Sequence, residues 1–201
     1  NKYGDIKLKV WSADEIKSLM AEYEIETRTA QRFWEDVTVG DPTPRIIKGP
    51  LTPTAEIAFE SYLGIYLVGN KVAANLYKKH PALMVPNELG IPEPPQRVHW
   101  DNHFTQTILG LPGAYDLGPE RCSWLIQGAT DFMGDNGALV RFECQYRKFN
   151  YMGDVTWVQG KVTEKFEKDG KAFAKLYLEC INHREEMTAK GDAIVELPKR
   201  G

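Results

Sequence analysis

The sequence predicts an α+β fold in which a curved antiparallel sheet wraps around one long central helix. The first observation is a Gly-Pro turn, Gly118-Pro119, which opens a segment with apolar residues at helical spacing. The second is a series of strand patterns that follow this segment almost to the end of the chain. Wrapping one curved sheet around one helix is the economical packing of these parts.

The central helix is predicted to start near Pro119. Gly118 can serve as its cap, and Glu120 favours the positive end of the helix dipole. The apolar residues that predict burial are Cys122, Leu125, Ile126, Ala129, Phe132 and Met133. Free N–H groups at such a helix start can hold a polarised carbonyl oxygen, although an ordinary capped core helix explains the same residues.

The segment after Gly134 changes to a period of two. The apolar residues Val140, Phe142, Cys144 and Tyr146 alternate with charged or polar ones, which predicts a half-buried strand. Further strands are predicted at about Asp154–Phe166, Lys171–Asn182 and Thr188–Leu197. Turn sequences separate them, so the four strands form an antiparallel meander.

The N-terminal part precedes this core. Residues 1–33 are predicted to form a helical arm, because Ser12 and Glu15 have capping-box spacing before a short helix that ends near Ile25. Residues 34–201 are predicted to form a single domain that contains an insertion.

An insertion at about residues 55–96 follows a predicted short strand at Arg45–Lys48. A helix is predicted from Ala55 to roughly Tyr77. Residues 80–96 contain five prolines and are predicted to be a loop that lies on the body of the protein or covers a pocket.

Composition excludes several classes of function. The net charge of -3 gives no broad basic field, so neither nucleic acid nor an anionic membrane is expected as a partner. No apolar run approaches the roughly 20 residues of a membrane helix, and the first ten residues lack the apolar core of a signal peptide, so we expect a cytoplasmic protein. Cys122, Cys144 and Cys180 show no CxxC spacing and are expected to be buried free thiols.

The order of elements resembles the hotdog fold, and three segments resemble the MaoC-like (R)-specific enoyl-CoA hydratases and acyl dehydratases. The segments EDVTVGD and KGPLT resemble the family's opening strand. The segment VHWDNHFTQTILGLPGAYDLG resembles its active loop and helix start, and RKFNYMGDVTWVQGKVTEK resembles its strand-turn-strand unit. The resemblance covers roughly residues 34–198. It implies hydration or dehydration of an acyl-CoA thioester without a metal or redox cofactor.

The resemblance also implies a set of catalytic residues. His99 matches the family's catalytic histidine, and Asp101 lies two positions after it. The position of the family's catalytic aspartate is Pro94 here, so the dyad is incomplete. Glu93 and Asp116 are the candidates for the second acid. The alternatives are that Glu93 is a solvated loop carboxylate and that Asp116 binds backbone N–H groups of the turn.

Four residues are candidates for the oxyanion and substrate site: Gly118, Tyr115, Arg121 and Trp124. Gly118 matches the family's glycine, whose backbone N–H holds the thioester oxygen. Arg121 can meet a CoA phosphate or a substrate carboxylate, or it can form a salt bridge with Asp116 or Glu120 that secures the helix start.

A metal site is not expected. His99 and His103 are four residues apart, but the glutamate of the HExxH motif is missing and no third ligand is apparent.

Three functions remain open. The first is an enoyl-CoA hydratase or 3-hydroxyacyl-CoA dehydratase that uses His99 and the Gly118 N–H. The second is a noncatalytic hotdog subunit that binds acyl-CoA or completes a hydratase formed with a second MaoC-like chain, which the missing aspartate favours. The third is an acyl-CoA thioesterase, for which no nucleophile or base is evident.

The insertion and the sheet edges give two further expectations. The many Tyr, Leu and Val residues of the insertion predict a cap or tunnel for a bulky apolar acyl group, unless the insertion only packs against the arm. The sheet edges predict a homodimer or a higher oligomer, or a hetero-oligomer with a second MaoC-like chain.

Overall fold

The computed structural model of the protein describes residues 5–62 and 71–201. In chain order the helices are α1 (Ala13–Tyr23), α2 (Pro53–Tyr62), α3 (Lys71–Lys79), α4 (Asn102–Phe104) and α5 (Gly118–Met133). The strands are β1 (Ile46–Lys48), β2 (Val85–Pro86), β3 (Pro92–Glu93), β4 (Ala138–Tyr146), β5 (Thr156–Lys168), β6 (Lys171–Asn182) and β7 (Met187–Leu197). Among these residues no helix combines the length and apolar character that a bilayer crossing requires.

The main sheet has five strands in the order β1-β5-β6-β7-β4, and all neighbouring pairs are antiparallel. Helix α5 packs across β4, β5, β6 and β7. The predicted α+β fold, with one central helix against an antiparallel sheet, is therefore confirmed. The predicted strands of the C-terminal meander agree with the observed ones to within two residues.

The core lies between α5 and the sheet. Leu125, Ala129 and Phe132 of the helix are fully buried in one cluster with apolar residues of the strands. Gly128 faces the same side, where an added Cβ would lie 3.2 Å from Val158 Cγ1 and 3.3 Å from Leu178 Cδ2. The absence of a side chain at this position lets the helix approach the sheet closely.

Strand β4 departs from the predicted alternation. A β-bulge lies between Leu139 and Arg141, and Val140 is 56% exposed. Phe142 and Cys144 pack against the core as predicted, with Leu139 beside them. The prediction that Val140 faces the core is wrong, because a bulge adds one residue and shifts the side of the strand on which each side chain lies.

The N-terminal helix has the predicted capping box. The Glu15 N–H donates to the Ser12 hydroxyl, and the Ser12 N–H donates to the Glu15 carboxylate. Leu19 of the same helix is buried with Ile47 and Val155, so α1 is held against the β1–β5 side of the sheet.

The insertion contains more regular structure than predicted. Helix α2 is capped by the Thr52 hydroxyl, α3 extends to Lys79, and the predicted helix between them, at residues 63–70, lies outside the described residues. The predicted loop over 80–96 includes the β2–β3 hairpin.

Side-chain and proline chemistry explain this hairpin. The Asn87 side-chain oxygen accepts hydrogen bonds from the N–H groups of Leu89 and Ile91, both at 3.0 Å, and closes the turn. Pro86 pairs with Pro92, so two residues that lack an N–H lie opposite each other.

Candidate active site

The His99 imidazole is held in one tautomer. His99 ends a 3₁₀ turn that starts at Pro95, and its Nδ1 lies 2.8 Å from the Tyr115 carbonyl oxygen. A carbonyl only accepts, so Nδ1 carries the proton and Nε2 is left as a base. Burial lowers the pKa of His99, and the imidazole is therefore neutral at pH 7.

A buried carboxyl group faces the open side of this imidazole. Glu60 Oε1, from α2, lies 3.8 Å from His99 Nε2. Glu60 is 1% exposed, and neither of its oxygens has a hydrogen-bond partner in the described part of the chain. Burial raises the pKa of Glu60 to about 7. The distance exceeds that of a direct hydrogen bond. His99 Nε2 and the Glu60 carboxyl group can therefore each bind another polar group.

Sequence reasoning missed Glu60. The signal in the sequence is weak: Glu56 and Glu60 are four residues apart, which places both carboxyl groups on one face of α2. Such a pair on a helix usually marks a solvated surface, and only the docking of α2 over His99 shows otherwise.

Glu56 joins α2 to the start of the central helix. It is fully buried, and its Oε2 accepts a hydrogen bond from the Leu117 N–H at 3.2 Å. Burial and the hydrogen bond to Glu120 raise the pKa of Glu56 to about 10, so this carboxyl group is protonated at neutral pH.

The start of α5 leaves one backbone donor open. The helix begins at Gly118, one residue before the predicted start, and Leu117 rather than Gly118 occupies the cap position. Within the described residues the Gly118 N–H makes no hydrogen bond, and Pro119 has no N–H to donate. An added Cβ at residue 118 would lie 3.2 Å from the Tyr146 ring, so close packing favours glycine here.

Asp116 and Arg121 form a buried ion pair below the helix start. Asp116 Oδ2 is 2.9 Å from Arg121 Nε, and the Asn150 side chain donates to the same oxygen at 2.8 Å. Arg121 also donates to the carbonyl oxygens of Lys148 and Thr188. Burial raises the pKa of Asp116 to about 7, and the Arg121 charge opposes this shift. The pair secures the turn, as in the alternative considered for Arg121.

No protein-family model matches the chain, and no curated protein matches it. The structure is similar to the (R)-hydratase of A. caviae involved in PHA biosynthesis, with 16% identity, a TM-score of 0.59 and coverage of 82% of this chain and 99% of that one. It is similar to a MaoC-like dehydratase from Rhodospirillum rubrum, with 16% identity, a TM-score of 0.59 and coverage of 85% and 99%. The structure is also similar to a Mycobacterium tuberculosis protein with a double hotdog fold that is essential for bacterial survival during infection. In this comparison the identity is 16%, the TM-score is 0.57, and the match covers 85% of this chain and 45% of that one.

The chain has the hotdog fold. The predicted likeness to MaoC-like dehydratases and (R)-hydratases is confirmed at the level of structure. The match spans nearly the whole of the A. caviae and R. rubrum proteins and less than half of the double-hotdog protein.

Two predicted acids of this hotdog domain lie around Arg97, which is 3% exposed. Asp101 caps α4 by accepting from the Phe104 N–H, and its other oxygen accepts from Arg97 Nε, both at 2.8 Å. Glu93 accepts from the Asn87 side chain at 2.6 Å and lies 3.9 Å from Arg97 Nε. Within the described ranges, no hydrogen bond or ion pair joins either acid to His99.

The remaining predicted residues divide between the site and the core. The Tyr115 ring meets His99 edge-on, with centroids 4.9 Å apart, and packs against Phe149 at 4.4 Å. Trp124 is buried in the main core cluster. His103 is exposed, and the described residues contain no group of three side chains suited to a metal ion.

Proposed function

We propose that this hotdog domain adds water to an enoyl-CoA thioester, or removes it from a 3-hydroxyacyl-CoA. The observation that carries the proposal is the fixed tautomer of His99, which presents a neutral Nε2 in a buried site. The resemblance of the active loop to MaoC-like hydratases, and the hotdog fold itself, support the same chemistry.

The reaction requires a base for water and a donor for the thioester oxygen, whose charge develops as the enolate forms. His99 Nε2 supplies the base. The Gly118 N–H at the positive end of α5 supplies the donor. The Tyr115 carbonyl oxygen that holds His99 lies three residues before Gly118 in the chain, which supports placing the imidazole near the helix start. This acid–base chemistry needs no metal or redox cofactor.

A groove near the site supports a substrate that carries an anionic group, such as the phosphates of CoA. Its volume is about 410 Å³, and Arg147, Lys148 and Phe149 are among the residues that line it. Phe149 packs against Tyr115, whose carbonyl oxygen holds His99, so one wall of the groove adjoins the residue that fixes the imidazole. Lys148 pairs with Glu186 of the same groove at 2.6 Å, and Arg147 is the cationic side chain that suits a phosphate of CoA.

The inserted helix α2 lies over His99 and supports the proposal of a bulky apolar acyl group. Its residue Glu60 reaches the imidazole, so the insertion forms part of the site wall rather than packing only against the arm.

The assay is loss of enoyl absorbance from a panel of trans-2-enoyl-CoA thioesters of graded size. We expect wild-type turnover to fall by at least about 100-fold in His99→Ala, because general acid–base groups contribute roughly 10²–10⁴-fold. His103→Ala removes an exposed histidine four residues away and is the matched control, with unchanged turnover expected.

A folded wild-type protein that turns over no thioester of the panel would contradict the proposal. The second candidate function, a noncatalytic subunit that binds acyl-CoA beside a catalytic chain, would then take its place. The presence of Pro94 where the family has its aspartate favours that candidate. Release of free CoA would instead identify a thioesterase.

A further inference from the structure

We infer that Glu60, on the inserted helix α2, is the second acid–base residue of the His99 site and does the work of the aspartate that Pro94 replaces. The inference rests on the proposed function and names the group that donates the proton. It assigns this role to an element outside the loop in which the family's motif lies.

The geometry distinguishes Glu60 from the other acids. Glu60 is buried, lies 3.8 Å from His99 Nε2, and has both oxygens unbonded among the described residues. Asp101 and Glu93 are occupied by the loop around Arg97, and Asp116 is paired with Arg121. A buried carboxyl group without partners costs free energy, and such groups concentrate at functional sites.

The charge states of His99 and Glu60 suit a base and an acid, respectively. His99 is neutral, with its lone pair on Nε2. Glu60 gains a raised pKa of about 7 from burial, so a large share of it carries its proton near neutrality. The titratable neighbours are His99 from the 3₁₀ turn and Glu56 one turn earlier on α2, and the Arg121 charge helps to lower the pKa of His99.

The hydration step balances with these two groups. His99 Nε2 takes a proton from water while the water oxygen forms a bond to C3 of the enoyl thioester. The C2=C3 π electrons move toward the thioester carbonyl oxygen, which accepts a hydrogen bond from the Gly118 N–H. Protonated Glu60 then gives its proton to C2, and the carbonyl re-forms.

The pair resets without any further reagent. After the addition His99 is protonated and Glu60 is a carboxylate, and one proton passes from Nε2 to Oε1 to restore both. The 3.8 Å separation lets this transfer occur directly after a small approach, or through one water molecule. Dehydration follows the same steps in reverse.

Glu56 is a positioning residue for this arrangement. It lies one helical turn before Glu60 and accepts a hydrogen bond from the Leu117 N–H, next to the proposed oxyanion donor. The same helix therefore sets Glu60 against His99 and is fixed to the start of α5.

The test is the pH profile of kcat in wild type and Glu60→Gln, with the enoyl-CoA substrate that gives the fastest wild-type turnover. We expect the wild-type rate to fall on the alkaline side near pH 7, as Glu60 loses its proton. Glu60→Gln should lower kcat by about 10²–10⁴-fold and abolish that alkaline limb. Glu60→Asp keeps the acid and should retain the limb at an intermediate rate.

Glu24→Gln, an isosteric change of an exposed glutamate, is the control and should leave rate and profile unchanged. A Glu60→Gln rate within about threefold of wild type, with the limb intact, would overturn the inference while His99→Ala still defined a hydratase. Absence of any wild-type turnover would overturn the proposed function and the inference together.

Discussion

Burial of the proposed acid Glu60 lowers the stability of the fold near neutral pH. In the folded protein its pKa is about 7, above the 4.5 that is usual for a solvated glutamate. A carboxyl group with a raised pKa in the folded state contributes most stability below the pKa of the unfolded state and loses that contribution as the pH rises through the folded value. Glu60 therefore weakens the fold progressively between about pH 4.5 and pH 7.

We expect Glu60→Gln to gain stability relative to wild type as the pH rises. Glutamine does not titrate, so the difference in unfolding free energy should shift by about 3 kcal/mol in favour of the variant between pH 4 and pH 8. Urea unfolding of both proteins across this range measures the shift. A difference that stays constant with pH would show that Glu60 titrates normally, and Glu24→Gln provides the baseline.

At the level of residues, the sequence supports a prediction of the site where the candidate residues lie within one segment. His99 and Gly118 stand in a contiguous stretch of sequence whose pattern could be compared with a family. Glu60 lies in a different element, and its position depends on how α2 docks, which helical spacing does not specify. For Asp101 and Glu93, the sequence does not show that the buried Arg97 occupies their oxygens.

At the level of elements, the fold depends on how closely α5 approaches the sheet. Gly128 is the point of contact, where Val158 and Leu178 are fully buried. A larger side chain there must push the helix away from two strands or force off-rotamer side chains in the core.

Gly128→Val is expected to lower the free energy of unfolding by at least about 2 kcal/mol, because overpacking costs roughly 1–3 kcal/mol and valine adds three carbons. Ser123→Val places the same side chain on the exposed part of α5 and should change stability by no more than about 0.5 kcal/mol. Urea unfolding measures both. Equal effects of the two substitutions would show that helix propensity, not packing, decides the outcome.

The elements themselves were largely predictable, because period and turn chemistry are local. Strand β6 has the predicted bounds, and α1 has the predicted cap. The β4 bulge and the β2–β3 hairpin were not predicted. A bulge depends on pairing with β7, and the hairpin depends on the side chain of Asn87, so neither follows from hydrophobic period alone.

At the scale of the whole molecule, β4 forms one edge of the main sheet and pairs only with β7 among the described strands. Tyr146, at its end, packs against Gly118 and is 48% exposed. A second copy that joined its own β4 to this edge would cover exposed apolar residues and lie beside the proposed site, and a different hotdog chain would do the same.

We expect the protein to sediment at twice its monomer mass of 22.8 kDa. Val140→Lys, at the exposed bulge of β4, should shift the equilibrium toward monomer because like charges would meet across the paired edges. Val72→Lys changes a similarly exposed valine on α3 and should leave the mass unchanged. A wild-type monomer, or a dimer insensitive to Val140→Lys, would contradict pairing of two copies through β4.

The proposed site depends on the docking of α2 against both His99 and the start of α5. One helix carries the carboxyl group that faces His99 and, through Glu56, accepts the hydrogen bond of Leu117 beside the oxyanion donor. If α2 lifts away, the proton donor departs and the helix start is released in the same event. The proposed site would then be lost as a unit: a chain with α2 undocked would keep its hotdog core but lose the proposed proton donor and the support of the helix start together.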